Sequence, residues 1–419
     1  MQKGVKTMTM TEQRIKKLFF ICLIICLCAI GRVQIGQAQT DMSFAAWLAD
    51  VKQEARQQGL SEETLSSLDG LSIDTEVLRR ATRQPEYIRP PWAYLDTMLS
   101  PIRKRRGKTM LRDHKPLFDK IEARYGVDRH ILAAIWGIET NFGDQQGNML
   151  VLRSLASLGH QGGRRTKFGR QQLLAALTII ENGDIAAARM FGSWAGAMGQ
   201  TQFIPTTYQA YAVDFDGDGK RDIWHNAGDA LGSAAHYLQI SGWRGDVPWG
   251  YEVTLPPDFD FKQADMNISK PLKKWRKAGV RAVSGALPNS KARAALFLPA
   301  GYRGPAFLVT DNFRALLRYN TAHAYALAVG LLSDFYRSGV GIKAAWPLDA
   351  RPLHPSELKT LQQHLTKAGY DTGGIDGILG HTTRAAIRRF QIDKGFVPDG
   401  YASAGLLTQF TLDNAKPPQ

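Results

Sequence analysis

From Met42 to about Val340, apolar positions recur mainly at helical spacing, interrupted by short polar breaks. Phe44, Trp47, Leu48 and Val51 make one such face, and Leu173, Leu174, Leu177 and Ile180 make another. Each predicts an amphipathic helix with one side against a core. Strand-like stretches are sparse. Residues 251–255 and 306–310 alternate or run short and apolar, and Pro and Gly bound them. The pattern therefore predicts a mainly α protein: a large helical domain over residues 39–343 with a small β element between residues 250 and 315.

The periodicity stops after that. Trp346-Pro347, Arg351-Pro352 and His354-Pro355 crowd together without a repeat, which predicts a stiff Pro-rich linker over residues 344–355. A compact unit follows at 356–413, and it carries a weak internal repeat. Leu361-Gln362, Gly369 and Asp376-Gly377 recur as Phe390-Gln391, Gly395 and Asp399-Gly400, offset by 23 to 29 residues. Residues 414–419 read as a loose tail.

The N-terminus is of another kind. Lys3, Lys6, Arg14, Lys16 and Lys17 precede an apolar run from Leu18 to Ile30, too short for a stable membrane anchor but suited to a secretory signal. Gly36-Gln37-Ala38 offers a cleavage site before Gln39, so residues 1–38 are expected to be a signal peptide; the alternative is a short anchor that is never cleaved. All three cysteines, Cys22, Cys26 and Cys28, lie inside this run, and Ile25 and Leu27 are too large to precede a lipid-attachment cysteine. The remainder is expected to hold no disulfide, thiolate metal site or cysteine nucleophile. The expectation is a periplasmic protein that meets the membrane only through an uncleaved signal segment. Nothing in the pattern indicates an oligomer.

The net charge is +15, and the six Lys/Arg and one Glu of residues 1–38 leave +10 on the rest. A basic surface favours polyanions, either nucleic acid or an anionic wall polymer. Export argues against nucleic acid as a partner.

Candidate chemistry centres on residues 128–143. Asp128 can cap a helix there, and Asn141 to Gly143 would end it. Helical spacing puts Leu132, Ile135, Trp136 and Glu139 on one side, so Glu139 is a carboxyl at the edge of an apolar face. Burial would raise its pKa, as a general acid requires; the alternative is a buried ion pair with an Arg or Lys. The segment 192–205 is dense in Gly and Ala, which lets backbone approach a ligand closely, and Ser193, Gln200 and Gln202 are its polar exceptions. Tight helix packing around small residues would need the same composition.

Asp214, Asp216, Asp218, Lys220 and Asp222 fall at the alternating positions of an EF-hand loop, with Gly219 sixth. The twelfth position is His225, not Glu, so Asp229 would have to close a longer loop. Such a loop would hold a structural calcium ion, or simply satisfy its own backbone amides. The nine histidines show no His-x-x-x-His spacing, which speaks against zinc.

Ile135 to Gly143, Gly192 to Tyr208 and Arg318-Tyr319-Asn320 resemble the signatures of the lytic murein transglycosylase B family, and Arg83-Gln84-Pro85-Glu86-Tyr87 fits the same pattern upstream. The likeness runs through most of residues 42–340. It implies a lysozyme-like helical catalytic domain, with Glu139 as catalytic acid/base and substrate contacts at Ser193, Gln202, Tyr237, Tyr319, Asn320 and Tyr325. Phe168 stands where relatives place a tyrosine. A lengthened EF-hand-like calcium site also belongs to this family, and the chemistry requires no cofactor. Residues 361–400 resemble the small three-helix peptidoglycan-binding domain of wall hydrolases, which implies ligand contacts near Asp376, Thr383 and Arg384.

The implied reaction cleaves the β-1,4 bond between N-acetylmuramic acid and N-acetylglucosamine in peptidoglycan glycan strands. Ordinary glycosidases use two carboxylates; the resemblance implies one, acting as acid and then as base, and a 1,6-anhydro-muramyl end. Glu181 and Asp184 are the acids nearest the site segments, and both read as solvated residues at a helix end. A lysozyme-type muramidase using water and a catalytically silent wall-binding scaffold are the alternatives.

Overall fold

The computed structural model describes residues 42–82, 89–161 and 163–415, with side chains described as far as Phe410. The expected signal peptide and the Arg83–Tyr87 motif lie outside the described residues. Contacts divide the chain after Trp47; of the N-terminal part only residues 42–47 are described, where helix Phe44–Gln57 begins, and Leu48 onward forms one compact unit. Among the described residues no helix is long and apolar enough to cross a membrane.

Helix Arg129–Thr140 lies at the centre, with Ile131 through Gly137 all buried. Asp128 begins it by accepting a hydrogen bond from the His130 N–H at 2.7 Å, and Asn141, at φ 51°, ends it in the left-handed region. Helices Pro101–Asp113, Lys115–Tyr125 and His323–Ser338 pack around it. The second predicted face lies on helix Thr166–Glu181: Leu173, Leu174 and Leu177 are buried, while Ile180 is only half-buried and Ile179 is fully so. The slip is one position, within the width of a broad apolar stripe.

Two sheets complete the large domain. Strands β1 (Met149–Leu150) and β2 (Phe191–Gly192) pair antiparallel. Strands β3 (Gly250–Thr254), β4 (Ser269–Pro271), β5 (Arg281–Ala282), β6 (Arg293–Phe297) and β7 (Ala306–Thr310) form an antiparallel sheet in the order β4-β6-β7-β3-β5. The sequence pattern anticipates β3 and β7 but not β4 to β6. Two of those three have only two or three residues, too few to show an alternation.

The sheet separates two cores because side chains alternate across it. Ala295, Phe297, Phe307 and Val309 join the central helix, while Ala294, Leu296, Leu298 and Leu308 pack on Trp275 and Phe259. Leu296 pairs with Leu308, and Phe297 with Phe307, across β6 and β7.

The C-terminal part has three helices, Pro355–Lys367, His381–Asp393 and Ala404–Ala415, around Leu361, Ile387 and Phe390. Its sequence repeat is a repeated hydrogen-bond motif. Gln362 Nε2 donates to Asp376 Oδ1 at 3.0 Å while Gln362 Oε1 accepts from the Gly377 N–H at 2.8 Å. Gln391 makes the same pair with Asp399, at 2.8 Å, and Gly400, at 2.9 Å. The segment read as a linker is fastened at both ends: Glu252 accepts from the Lys343 and Ala344 N–H groups, and Pro352 bridges to Ser403. Leu353 already belongs to the C-terminal core.

Candidate active site

Glu139 sits in the last turn of the central helix, half-buried at the edge of its apolar face. The Tyr325 hydroxyl donates to its Oε1 at 2.7 Å. Burial raises the Glu139 carboxyl to about 7, and the Tyr325 hydrogen bond opposes this only in part. Desolvation wins because one neutral hydrogen bond cannot replace a hydration shell. Among the described residues no Arg or Lys pairs with Glu139; its side-chain partner is a tyrosine. The neighbouring Arg103 is consumed by backbone, donating from Nε to the Gly137 carbonyl at 2.8 Å and from Nη1 to the Thr97 and Met98 carbonyls.

The Gly/Ala-rich segment is pinned beside this helix. Trp136 Nε1 donates to Gln200 Oε1 at 2.9 Å, and Thr140 Oγ1 donates to the Gln200 carbonyl at 2.6 Å. Gln200, one of the segment's polar exceptions, is a buried strut. Gly199 has φ 69°, and a Cβ there would lie 2.6 Å from Ile223 Cγ1, so only glycine lets the turn close. Among the described residues, the non-glycine positions with positive φ are Asn141, Phe142 and Gln202. All three lie in the two segments that meet here, which is where backbone strain is expected to serve a site.

The tyrosines form a ladder beside Glu139. Tyr319 and Tyr325 stack with centroids 6.5 Å apart and planes 3° apart, and Tyr237 meets Tyr319 edge-on at 5.2 Å. Two of the three hydroxyls are spent on backbone: Tyr319 donates to the Thr201 carbonyl and Tyr237 to the Arg318 carbonyl, both at 2.6 Å. Their rings, not their hydroxyls, remain for a ligand.

The other expected contacts are placed less centrally. Gln202 is half-buried and donates from Nε2 to the Gln146 and Gly199 carbonyls. Ser193 Oγ accepts from the Ala197 N–H at 3.0 Å at the far end of the small-residue segment. Asn320 is exposed and caps the Ala322 N–H. Tyr94, on helix Pro91–Met98, was not singled out in the sequence; burial and then the Glu139 charge push its hydroxyl above its usual pKa. Its stretch reads as ordinary core, and nothing in its spacing marks it.

The second-carboxylate candidates are committed elsewhere. Glu181 is exposed and accepts from the Ser61 N–H and hydroxyl. Asp184 is not solvated as expected: it is buried and pairs with Arg221 at 2.6 Å. A further carboxyl raised by burial, Asp334 at about 6, accepts from Trp249 Nε1 toward the other end of its helix.

The acidic loop divides in two. Carboxylate oxygens of Asp214, Asp216 and Asp229 lie within 4.8 Å of one another. Asp229 is buried, and its carboxyl is raised to about 6 by burial, with the charges of Asp216 and Asp214 adding to it. Asp218 and Asp222 are not in that cluster: Asp218 accepts from the Lys220 N–H, and Asp222 from the Trp224 and His225 N–H groups. A like-charge cluster of oxygen donors, buried at Asp229 and open to solvent at Asp216, fits a hard divalent cation. Lys220 would offer such an ion only its carbonyl.

In the C-terminal domain, Asp376 is occupied by Gln362 and the Ile378 N–H. Thr383 is buried, and its hydroxyl bonds the Thr372 carbonyl, while Gly380 is the residue at the helix N-cap. Arg384 has no such commitment.

Two family models match the chain: the transglycosylase SLT domain over residues 43–334 and a peptidoglycan binding domain over residues 354–409. The chain is 28% identical over 268 residues to the membrane-bound lytic murein transglycosylase B of Escherichia coli K12, covering 62% of this chain and 72% of that protein. It is similar to the crystal structure of SltB3 from Pseudomonas aeruginosa in complex with NAG-anhNAM-pentapeptide, with TM-score 0.85 and 49% identity over 88% of this chain and 99% of that one. It is also similar to the Escherichia coli lytic transglycosylase Slt35 in complex with calcium, with TM-score 0.60 and 26% identity over 71% and 93% of the two chains.

Proposed function

Given that the chain belongs to the transglycosylase SLT domain family and is a lytic transglycosylase of peptidoglycan, we propose that Glu139 carries both proton transfers of the reaction by itself. The observation behind this is the state of its carboxyl: desolvated, raised to about 7 and, among the described residues, bonded by Tyr325 alone. At neutral pH such a group is part acid and part base. It gives its proton to the glycosidic oxygen as the C1–O bond of the muramyl residue breaks. The resulting carboxylate then takes the proton of the C6 hydroxyl, whose oxygen closes on C1. The product is a 1,6-anhydro end, and no water is consumed.

Two-carboxylate hydrolysis would need a second acid flanking the bond. Glu181 and Asp184 are held by Ser61 and Arg221, so neither serves. The ring faces of Tyr319 and Tyr237 supply a platform for the sugar, and the Tyr325 hydroxyl holds Glu139 in place. Gln202 and Ser193 would reach the flanking sugars, and Asn320 the outer rim. Tyr94 completes the wall.

The remaining parts follow the same reading. Residues 1–38 direct export to the periplasm, 39–343 form the catalytic domain, 344–355 connect, and 356–413 bind the wall. That last domain raises the local substrate concentration. Asp214, Asp216 and Asp229 would hold a calcium ion whose contribution is structural, with Asp218, Lys220 and Asp222 shaping the loop. Mass spectrometry of digested sacculi decides the reaction: anhydro-muramyl ends are expected. Reducing ends would indicate a hydrolase, and no release a binding scaffold.

A further inference from the structure

A cavity of about 310 Å³ lies between the large domain and the C-terminal three-helix domain. Arg314, Leu317 and His323 line it from one side, and Gly380, Arg384 and Arg388 from the other. Its cations are unequally spent. Arg388 donates to Asp265 Oδ2 at 2.5 Å and to the Ala264 carbonyl at 2.6 Å. Arg314 donates to the Met266 carbonyl. The Asp399 carboxylate, which also faces the cavity, already accepts from Gln391 Nε2 and from the Tyr401 and Tyr302 N–H groups.

Arg384 is left over. Among the described residues its side chain has no hydrogen bond or ion pair, and it stands half-buried in the cavity wall. Burial, and then the charge of Arg388, pull it down to about 10. Asp399, Asp265 and Tyr401 attract it only at longer range and do not offset that loss. Its side chain is half-buried in the cavity wall, and no protein acceptor occupies its donors, so they remain open to an anion in the cavity.

The cavity is joined to the catalytic cleft through two helices. Helix Asp311–Tyr319 carries Arg314 and Leu317 to the cavity and Tyr319 to the cleft. Helix His323–Ser338 carries His323 to the cavity and, two residues on, Tyr325 to Glu139. A peptide of about five extended residues reaches roughly 17 Å. The residues that line the two places are two to five positions apart on these helices, about 3 to 8 Å along the axis, which is within that reach.

We propose that this cavity is a subsite for a carboxylate of the peptidoglycan peptide stem, with Arg384 as the fork that receives it. The guanidinium presents paired donors that match a planar carboxylate. Phe297, Leu317 and Leu379 supply apolar wall for a short aliphatic residue beside it. The inference rests on the peptidoglycan reading above and adds to it which part of the substrate the domain junction reads.

The test uses the full chain carrying Glu139→Gln and a soluble five-residue stem peptide, with binding followed by calorimetry. Peptides amidated at the C-terminus, at the side chains, or at both identify which carboxylate is read. The free acid should bind at least tenfold more tightly than the doubly amidated peptide, and Arg384→Gln should abolish that difference while Arg384→Lys keeps part of it. Equal affinity for all peptides, or a difference that survives Arg384→Gln, overturns the proposal.

In the chain with Glu139 intact, Arg384→Gln should raise KM several-fold on stem-bearing strands and leave kcat and turnover of stem-free strands unchanged. An equal loss on both strands would mean a structural role and would also overturn it. Absence of anhydro products from either strand with the unaltered chain would sink the activity reading instead, while the calorimetry still decides the subsite.

Discussion

The Tyr325 hydroxyl and the Glu139 carboxylate, separated by 186 positions in the chain, meet at 2.7 Å. The bond favours the charged form, yet Glu139 remains at about 7 because burial outweighs it. Removing the hydroxyl leaves burial unopposed. In Tyr325→Phe the Glu139 pKa should rise, so the alkaline limb of the kcat/KM profile should move to higher pH. A limb that stays put, or moves toward acid, contradicts the assignment.

Glu139→Gln should lower turnover by at least ~100-fold, the lower end of what a general acid contributes. The same variant should be the more stable protein at alkaline pH. The folded carboxyl sits at about 7 and the ordinary value is 4.5, so the folded state holds the proton more tightly. Its contribution to stability is therefore complete below 4.5 and is lost as pH rises through 7. The loss amounts to about 3 kcal/mol. Melting curves of the two proteins should nearly coincide at pH 4.5 and separate by pH 8.

Calcium at about 100 times its Kd should stabilise the chain by ~2.7 kcal/mol if it binds only the folded state. Chelator should reverse the shift, and Asp214→Asn should abolish it. Asp229 is raised to about 6, so protons compete with the ion below that value. The gain in melting temperature should accordingly shrink between pH 7.5 and pH 5. Curves that ignore calcium at both pH values would remove the ion from the loop.

Gln200→Leu should cost about 1–3 kcal/mol, because it strands the buried Trp136 Nε1 donor. The urea midpoint measures this directly. If Gln200 bound sugar instead of bracing the fold, KM would rise with the midpoint unchanged.

How much was legible beforehand depends on how local each signal is. The central helix could be read from Asp128, its apolar face and the Asn141–Gly143 stop, because capping and periodicity are short-range. The three-helix C-terminal domain was visible in a repeat whose reason is two glutamines bonding two Asp-Gly turns alike. Strands β4 to β6 were not legible, since two or three residues carry no period and their pairing comes from distant chain. The repeated Pro dipeptides suggested a stiff linker, but composition could not show that Glu252 and Ser403 fasten its ends.

The sequence by itself determined that an acidic residue would sit on an apolar helical face, which is why its proton affinity had to be perturbed. The tertiary structure alone decided the sign of that perturbation, by bringing Tyr325 rather than an arginine to Glu139. It also decided that Gln200 braces the site, that Asp184 is paired, and that the Arg384 side chain faces the domain junction with no hydrogen-bond partner among the described residues. The physical reason is common to all four. Desolvation and hydrogen-bond partnership depend on which remote segments pack together, and spacing along the chain carries no record of that.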